Sequence, residues 1–314
     1  MQPRRTFVLP LPRLAPLALG LTLALGSCAS SRGKDFSSPM LAMQAVAEVA
    51  GTGDLEKADK IFGSGGSELL SSGDEVADRE DALQVKKDIE ERVAFEDLGE
   101  GRQVALIGTE SWPFPIPLVF EKGFWHFDLE GGMEEIANRR IGRNELQTIA
   151  TLHAFADAEK EYASVGRDGN PPAFAAKVFS SEGKHDGLYW PNAEGEPESP
   201  IGPLVAEATG EGYSHDASAG EEPKPFHGYL YRIMTAQGAN APGGAMSYVD
   251  EKGQMTRGCA MIAWPVKHGN SGVMTFQVSH RGIVFQKDLG EDTEKLARKI
   301  QAFDPDASWE PARD

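Results

Sequence analysis

Apolar residues recur at helical spacing in four stretches of the chain and at strand spacing in several others. Met40, Met43, Val46, Ala47 and Ala50 share one face of a helix, with Ser38 as its N-cap, Pro39 in its first turn and Gly51 at its end. Asp54 caps a second helix over 55–62. After a break at "GSGG", a third helix over 75–94 carries Ala82, Val85, Ile89 and Val93 at helical spacing. Strand signals come next. "QVALIG" reads as one strand and "IPLVFEKGFWHFDL" as a hairpin turning at "EKG".

Residues 131–165 hold the strongest helical pattern. "MEEIANRRIGR" reads as a helical turn closed by Gly142. Asn144 and Gln147 read as a capping box opening the main helix, whose apolar face is Leu146, Ile149, Leu152, Ala156 and Tyr162. Residues 192–224 are rich in Gly, Pro, Glu and Ser and read as a long loop with one apolar patch, Ile201 to Val205. The last third is strand-like. It has "FHGYLYRIMTA", then two strands around "DEKG" in "AMSYVDEKGQMTRGCAMIAWP", then a hairpin turning at "HRG" in "GVMTFQVSHRGIVFQKDL". Met274, Phe276 and Val278 alternate as a half-buried strand requires. A helix over 293–303, with Leu296 and Ile300 inward, ends before Pro305. The pattern predicts an α+β fold: a small helical and hairpin unit over 39–130, then over 131–314 a long helix packed on an antiparallel sheet.

The first 27 residues follow another logic. Arg4 and Arg5 precede an apolar run, residues 14–25, too short to span a bilayer, and small residues lead to Cys28. "LGSC" resembles the lipobox of bacterial lipoproteins. That resemblance implies removal of residues 1–27 as a signal peptide and a diacylglycerol, with palmitate-type chains, on Cys28. Residues 28–38 then form a polar tether. Ala29, where an aspartate is absent, resembles outer-membrane sorting, and "RRTFVL" resembles a twin-arginine export signal. The expected partner is a membrane reached through the lipid anchor, with the globular part facing the periplasm.

Charge narrows the partners further. The chain carries −17 overall. Its first 27 residues hold Arg4, Arg5 and Arg13 and no acid, which leaves 28 basic against 48 acidic residues and a net −20 beyond them. Such a surface repels phosphate backbones, so nucleic acid is not an expected partner. The one other cysteine, Cys259, sits in an apolar strand pattern as a small core residue.

Candidate chemistry is sparse. None of His126, His153, His185, His215, His227, His268 and His280 has a zinc-type i, i+4 partner, and neither a serine elbow nor a phosphate-binding glycine loop occurs; no metal or cofactor is expected. Strand alternation puts His126, Asp128 and Glu130 on one face, and with His227 they form a candidate polar pocket. Arg139, Arg140 and Arg143 form a candidate anion site for a carboxylate or phosphate, or pair with local acids such as Glu134 and Glu135. Among Trp112, Trp125, Tyr189, Trp190, Tyr229, Tyr231 and Trp264, the glycine and proline neighbours of Trp112 and Trp190 favour these two as walls of a binding groove.

"WPFPIPLVFEKGFWHFD", "RRIGRNELQTI", "DGLYWP", "SPIGPLVA", "PFHGYLYRIMTAQG", "APGGAMSYV", "AWPVKHGNSGVMTFQVSHRGIVFQKDLG" and "FDPDASW" together resemble a bacterial family of secreted or envelope proteins known as domain of unknown function 2950. That resemblance implies no activity. A looser likeness to type IV pilin-like proteins runs through "NELQTIATLHAFADAEKEYAS", "GYLYRI" and the last hairpin, but the glycine-cleaved prepilin leader is lacking. The leading expectation is a non-enzymatic binding or scaffolding protein with an envelope protein as partner. The alternatives are an envelope enzyme using a histidine and carboxylate pocket and a pilus- or secretion-associated assembly subunit.

Overall fold

The computed structural model describes residues 32–191, 195, 197–213 and 224–313. The leader, Cys28, His215 and parts of the 192–224 segment lie outside the described residues. Helix α1 (Pro39–Thr52) begins where the Ser38 hydroxyl accepts from Leu41 N at 3.3 Å, and α2 (Leu55–Phe62) where the Asp54 carboxylate accepts from Lys57 N at 3.0 Å. Gly51 does not end α1. Gly53 does, at φ 66°, because only there does the backbone turn left-handed. The expected break follows α2, and a one-turn helix, α3 (Gly66–Leu69), starts at its last glycine. Helix α4 (Glu75–Glu91) is capped by Asp74 and stops at Arg92, whose backbone is extended.

Val93 therefore starts a strand instead of completing a helix. β1 (Val93–Gly99) pairs antiparallel with β2 (Arg102–Ile107). Beyond β2 come β3 (Trp112–Pro113), β4 (Leu118–Glu121) and β5 (Phe124–Phe127), in the order β1-β2-β4-β5 with β3 on β2. Met43, Val46, Phe62, Ile107, Leu118 and Phe127 are the centre of a first core under this sheet.

One helix then crosses the molecule. α5 (Leu129–Tyr162) has 34 residues, about 50 Å at the usual rise, and is capped by Asp128, whose side chain accepts from Gly131 N at 3.1 Å. The break expected at Gly142 and the capping box at Asn144 and Gln147 are absent. Gly142 lies in the helix with open space around it. Asn144 is buried and donates from Nδ2 to Ser271 O at 2.9 Å, while the Glu145 carboxylate accepts from Val273 N and Met274 N, both at 2.9 Å. These polar residues dock a distant loop onto the helix; they do not cap it.

The second core lies under the C-terminal half of α5. The expected loop over 192–224 contains α6 (Gly202–Gly210), with Ile201 and Val205 buried. The main sheet holds β6 (Tyr229–Met234), β9 (Ala260–Pro265), β10 (Met274–Ser279), β11 (Val284–Asp288) and β12 (Glu310–Pro311), in the order β12-β11-β10-β9-β6, all antiparallel. The "DEKG" turn forms, with Gly253 N donating to Asp250 O at 3.1 Å, and Val249 and Met255 make an antiparallel bridge across it, but the longer strands on either side pair elsewhere. β8 (Met246–Ser247) pairs with β7 (Ala236–Gln237), and β9 pairs with β6 and β10.

β10 is buried on both faces, not half-buried. Phe276 lies in register with Ala263 and Tyr231, and the Tyr231 hydroxyl donates to Thr148 Oγ1 of α5 at 3.2 Å, so this face meets α5. Gln277 faces the other way and is 1% exposed. There α7 (Thr293–Lys299) and Phe303 cover the sheet, and Arg232 donates to the carbonyls of Ala297 and Arg298 at 3.2 Å and to that of Ile300. This capping ends α7 four residues before the expected limit at 303, with Ala297 fully buried and Leu296 at the surface. The result is helix on sheet on helix, held in part by a partly buried guanidinium.

Candidate functional site

The first core is not closed. Between α4 and α5 a cleft of about 600 Å³ reaches down to Val46, Val49, Phe62, Ile107, Phe114 and Ile116, side chains that otherwise belong to the buried core. Its walls are apolar because α1, the end of β2 and the segment after β3 turn their core faces toward it. The mouth is polar. α5 presents Arg139, Arg140 and Arg143 at its rim, at helical spacing, while α4 presents Asp78, Asp81 and Asp88 opposite.

The three arginines expected as an anion site do come together here, and with them Trp112 from β3. Arg139 lies 4.4 Å above the Trp112 ring, donates to Glu135 Oε1 at 2.6 Å and donates to Pro113 O at 2.9 Å. Arg143 makes a two-pronged contact with Asp81, 2.7 and 2.6 Å. Arg140 donates to Asn270 Oδ1 at 2.5 Å. Burial pulls Arg140 below its usual range and pushes the Asp78 carboxyl above its own, although Asp78 accepts from Ser72 N at 3.1 and 2.8 Å. The mouth thus carries charges of both signs, with Glu110 beside the three aspartates. It offers both donors and acceptors around an apolar interior, with Trp112 (47% exposed) as a flat ledge.

A second polar cluster lies behind Arg143. The buried Asp74 carboxylate accepts from Tyr213 Oη at 2.9 Å, from Gly228 N at 2.8 Å and from Ala77 N at 3.2 Å. His227, at φ 50°, donates its backbone N–H to Tyr213 Oη at 3.2 Å and sets Nε2 3.5 Å from Glu211 Oε2. Burial lowers the His227 pKa and raises that of Glu211. The rings of Phe226 and Tyr213, 4.0 and 5.6 Å from the imidazole, pack around it.

The remaining expected site residues lie apart from the cleft. β5 ends at Phe127, so His126, Asp128 and Glu130 do not line one strand face. His126 is on β5, Asp128 caps α5 and pairs with Arg102 at 2.9 Å, and Glu130 is in the first turn of α5. His126 is lowered by burial, and Arg32 adds to this. Trp190 is only 2% exposed, donates to Pro197 O at 2.9 Å and packs against His185 and Arg167, which makes it a core residue and not a groove wall. Sequence reasoning missed Asp78, Asp81 and the apolar floor. A partner 62 residues from Arg143 leaves no local signal.

The family described as Protein of unknown function (DUF2950) matches residues 33–312. The chain belongs to this family. No curated protein and no solved structure matches it. The cleft and the cluster behind it both fall within the matched span, so they belong to the family's domain and not to an added segment. Among the described residues no helix is long and apolar enough to cross a membrane.

Proposed function

We propose that this family member is a non-enzymatic binding protein of the cell envelope. Acylated Cys28, exposed by removal of residues 1–27, moors it at the outer membrane facing the periplasm. The cleft between α4 and α5 takes the apolar body of an amphipathic small molecule, whose polar head rests at the Trp112–Arg139 ledge. The observation that carries this reading is the cleft itself. Its volume of about 600 Å³ is in the usual range for ligand pockets, and its mouth combines arginine donors with aspartate acceptors. The paired side chains at that mouth offer no activated nucleophile, which favours holding a ligand over transforming it.

The test uses the mature chain and 11-(dansylamino)undecanoic acid, a fluorescent single-chain amphiphile. Saturable binding at one site is expected, with affinity falling at least tenfold in Val85→Trp, which fills the cleft from α4. Non-saturable emission, or identical titrations of the two proteins at equal stability, refutes the cleft. Mass spectrometry of the native protein tests the mooring separately: an intact leader or a bare Cys28 thiol refutes it.

A further inference from the structure

The described chain begins beside one end of the first sheet. Arg32 sets one guanidinium nitrogen 2.6 Å from Glu121 and another 2.6 Å from Asp35. Phe36 and Trp125 exchange both backbone hydrogen bonds at 2.8 Å. Glu121 is the last residue of β4, and Lys122 and Gly123, both at positive φ, turn the chain tightly into β5. Around this tip the side chains are large and apolar. Phe120 and Phe124 are each 48% exposed, and the Trp125 ring lies 5.1 Å from that of Phe120. In the hairpin register Phe120 opposes Trp125 and Phe124 opposes Glu121, so aromatic rings occupy both faces. The β1–β2 turn stands alongside, with Gly101 O accepting from Phe120 N at 2.7 Å and with Leu98 52% exposed.

We infer that this end of the sheet sits in the headgroup layer of the bilayer, with Phe120, Phe124 and Trp125 as a second, interfacial anchor that fixes the protein's orientation. The inference rests on the mooring at Cys28. Three residues lie between Cys28 and Arg32, so the Arg32 Cα stays within about 14 Å of the Cα of the anchored cysteine. Arg32 in turn is bonded to the tip. Aromatic side chains with a polar edge favour the zone between headgroups and acyl chains. Tethering supplies an effective concentration in the millimolar range, so individually weak contacts suffice. Asp97 and Glu100 line a shallow depression between the two turns, together with Phe120 and Trp125, and their charge disfavours an anionic surface. The membrane partner is therefore a zwitterionic one.

The test couples the Cys28 thiol of the mature chain to a maleimide-headgroup lipid in phosphatidylcholine vesicles; Cys259 is buried and does not compete. Lipids brominated near the headgroup end of the acyl chain are expected to quench part of the tryptophan emission. Trp125→Phe removes that quenched part although Trp112, Trp190, Trp264 and Trp309 remain. Replacing a third of the lipid by phosphatidylglycerol weakens the quenching. Phe120→Ser with Phe124→Ser weakens it in a chain that keeps Trp125. Emission unaffected by bromine, or quenching that survives Trp125→Phe, overturns the inference. The chemical tether works whether or not the native protein is acylated. An unquenched tip on a coupled chain therefore counts against the interfacial anchor alone, and a bare native thiol against the mooring alone.

Discussion

Replacing Glu159 by Gln should remove a pH dependence that one buried carboxyl imposes on folding. Glu159 lies on α5 with no exposed surface. Its Oε2 accepts from Ala175 N at 2.8 Å, and its Oε1 is buried without a partner. Burial pushes its pKa up to about 8 from an ordinary value of 4.5, and the Ala175 hydrogen bond offsets only part of this. The sign follows from proton uptake. Between pH 4.5 and 8 the folded chain holds a proton that the unfolded chain has released. The stability associated with that proton is complete below the unfolded value and is lost as pH rises toward 8. Each pH unit inside the window is worth about 1.4 kcal/mol, so the loss between pH 5 and pH 7 is about 3 kcal/mol. Glutamine keeps the acceptor for Ala175 and stays neutral throughout. Urea unfolding followed by circular dichroism, on both proteins from pH 5 to pH 8, cancels the other carboxylates in the difference. The two should be nearly equal at pH 5. At pH 7 the variant should be more stable by about 3 kcal/mol, or roughly 6–12 °C in melting temperature. A difference that stays constant across this range refutes the reasoning.

Trp112→Ala should cost under about 1 kcal/mol in stability while lowering dansyl-fatty-acid affinity, because the ring is a ledge for Arg139 at the surface. Trp190→Ala should cost about 3–5 kcal/mol with little change in that affinity per folded molecule; equal effects of the two in both assays would contradict their placement. Arg232→Ala should destabilise by about 2–3 kcal/mol in urea, since it strips the carbonyls at the end of α7 of their donor and removes a cation from over the Trp264 ring. A loss below about 0.5 kcal/mol would show that α7 is held by its apolar contacts alone.

Elements governed by neighbours in sequence were legible, and those governed by distant partners were not. Ser38 and Asp54 announce α1 and α2 because a cap acts within three residues. The β4–β5 and β10–β11 hairpins were visible for the same reason. Asn144 and Gln147, read locally, look like a helix start, but Asn144 and Glu145 reach elsewhere. Their partners are 127 to 129 residues away, in the 271–274 segment, and nothing in the local pattern tells a cap from a dock. β10 looked half-buried because Thr275, Gln277 and Ser279 are polar, yet α7 and Phe303 cover that face and Gln277 satisfies Asp304 N at 3.3 Å. At the site, the three arginines stood out as a cluster on one helix. Asp81 and the apolar floor did not, since the cleft is made by six elements, α1, α2, α4, α5, β2 and β3, that meet only in the folded chain.

The unbroken run of α5 has a mechanical consequence. Ile136 packs into the first core and Ile149 to Tyr162 into the second, so the two halves share a single rod. Neither can slacken without loosening the other's grip, and the chain should come apart in one step. A ligand held in the proposed cleft beside Arg140, near the middle of that rod, would stiffen both ends at once.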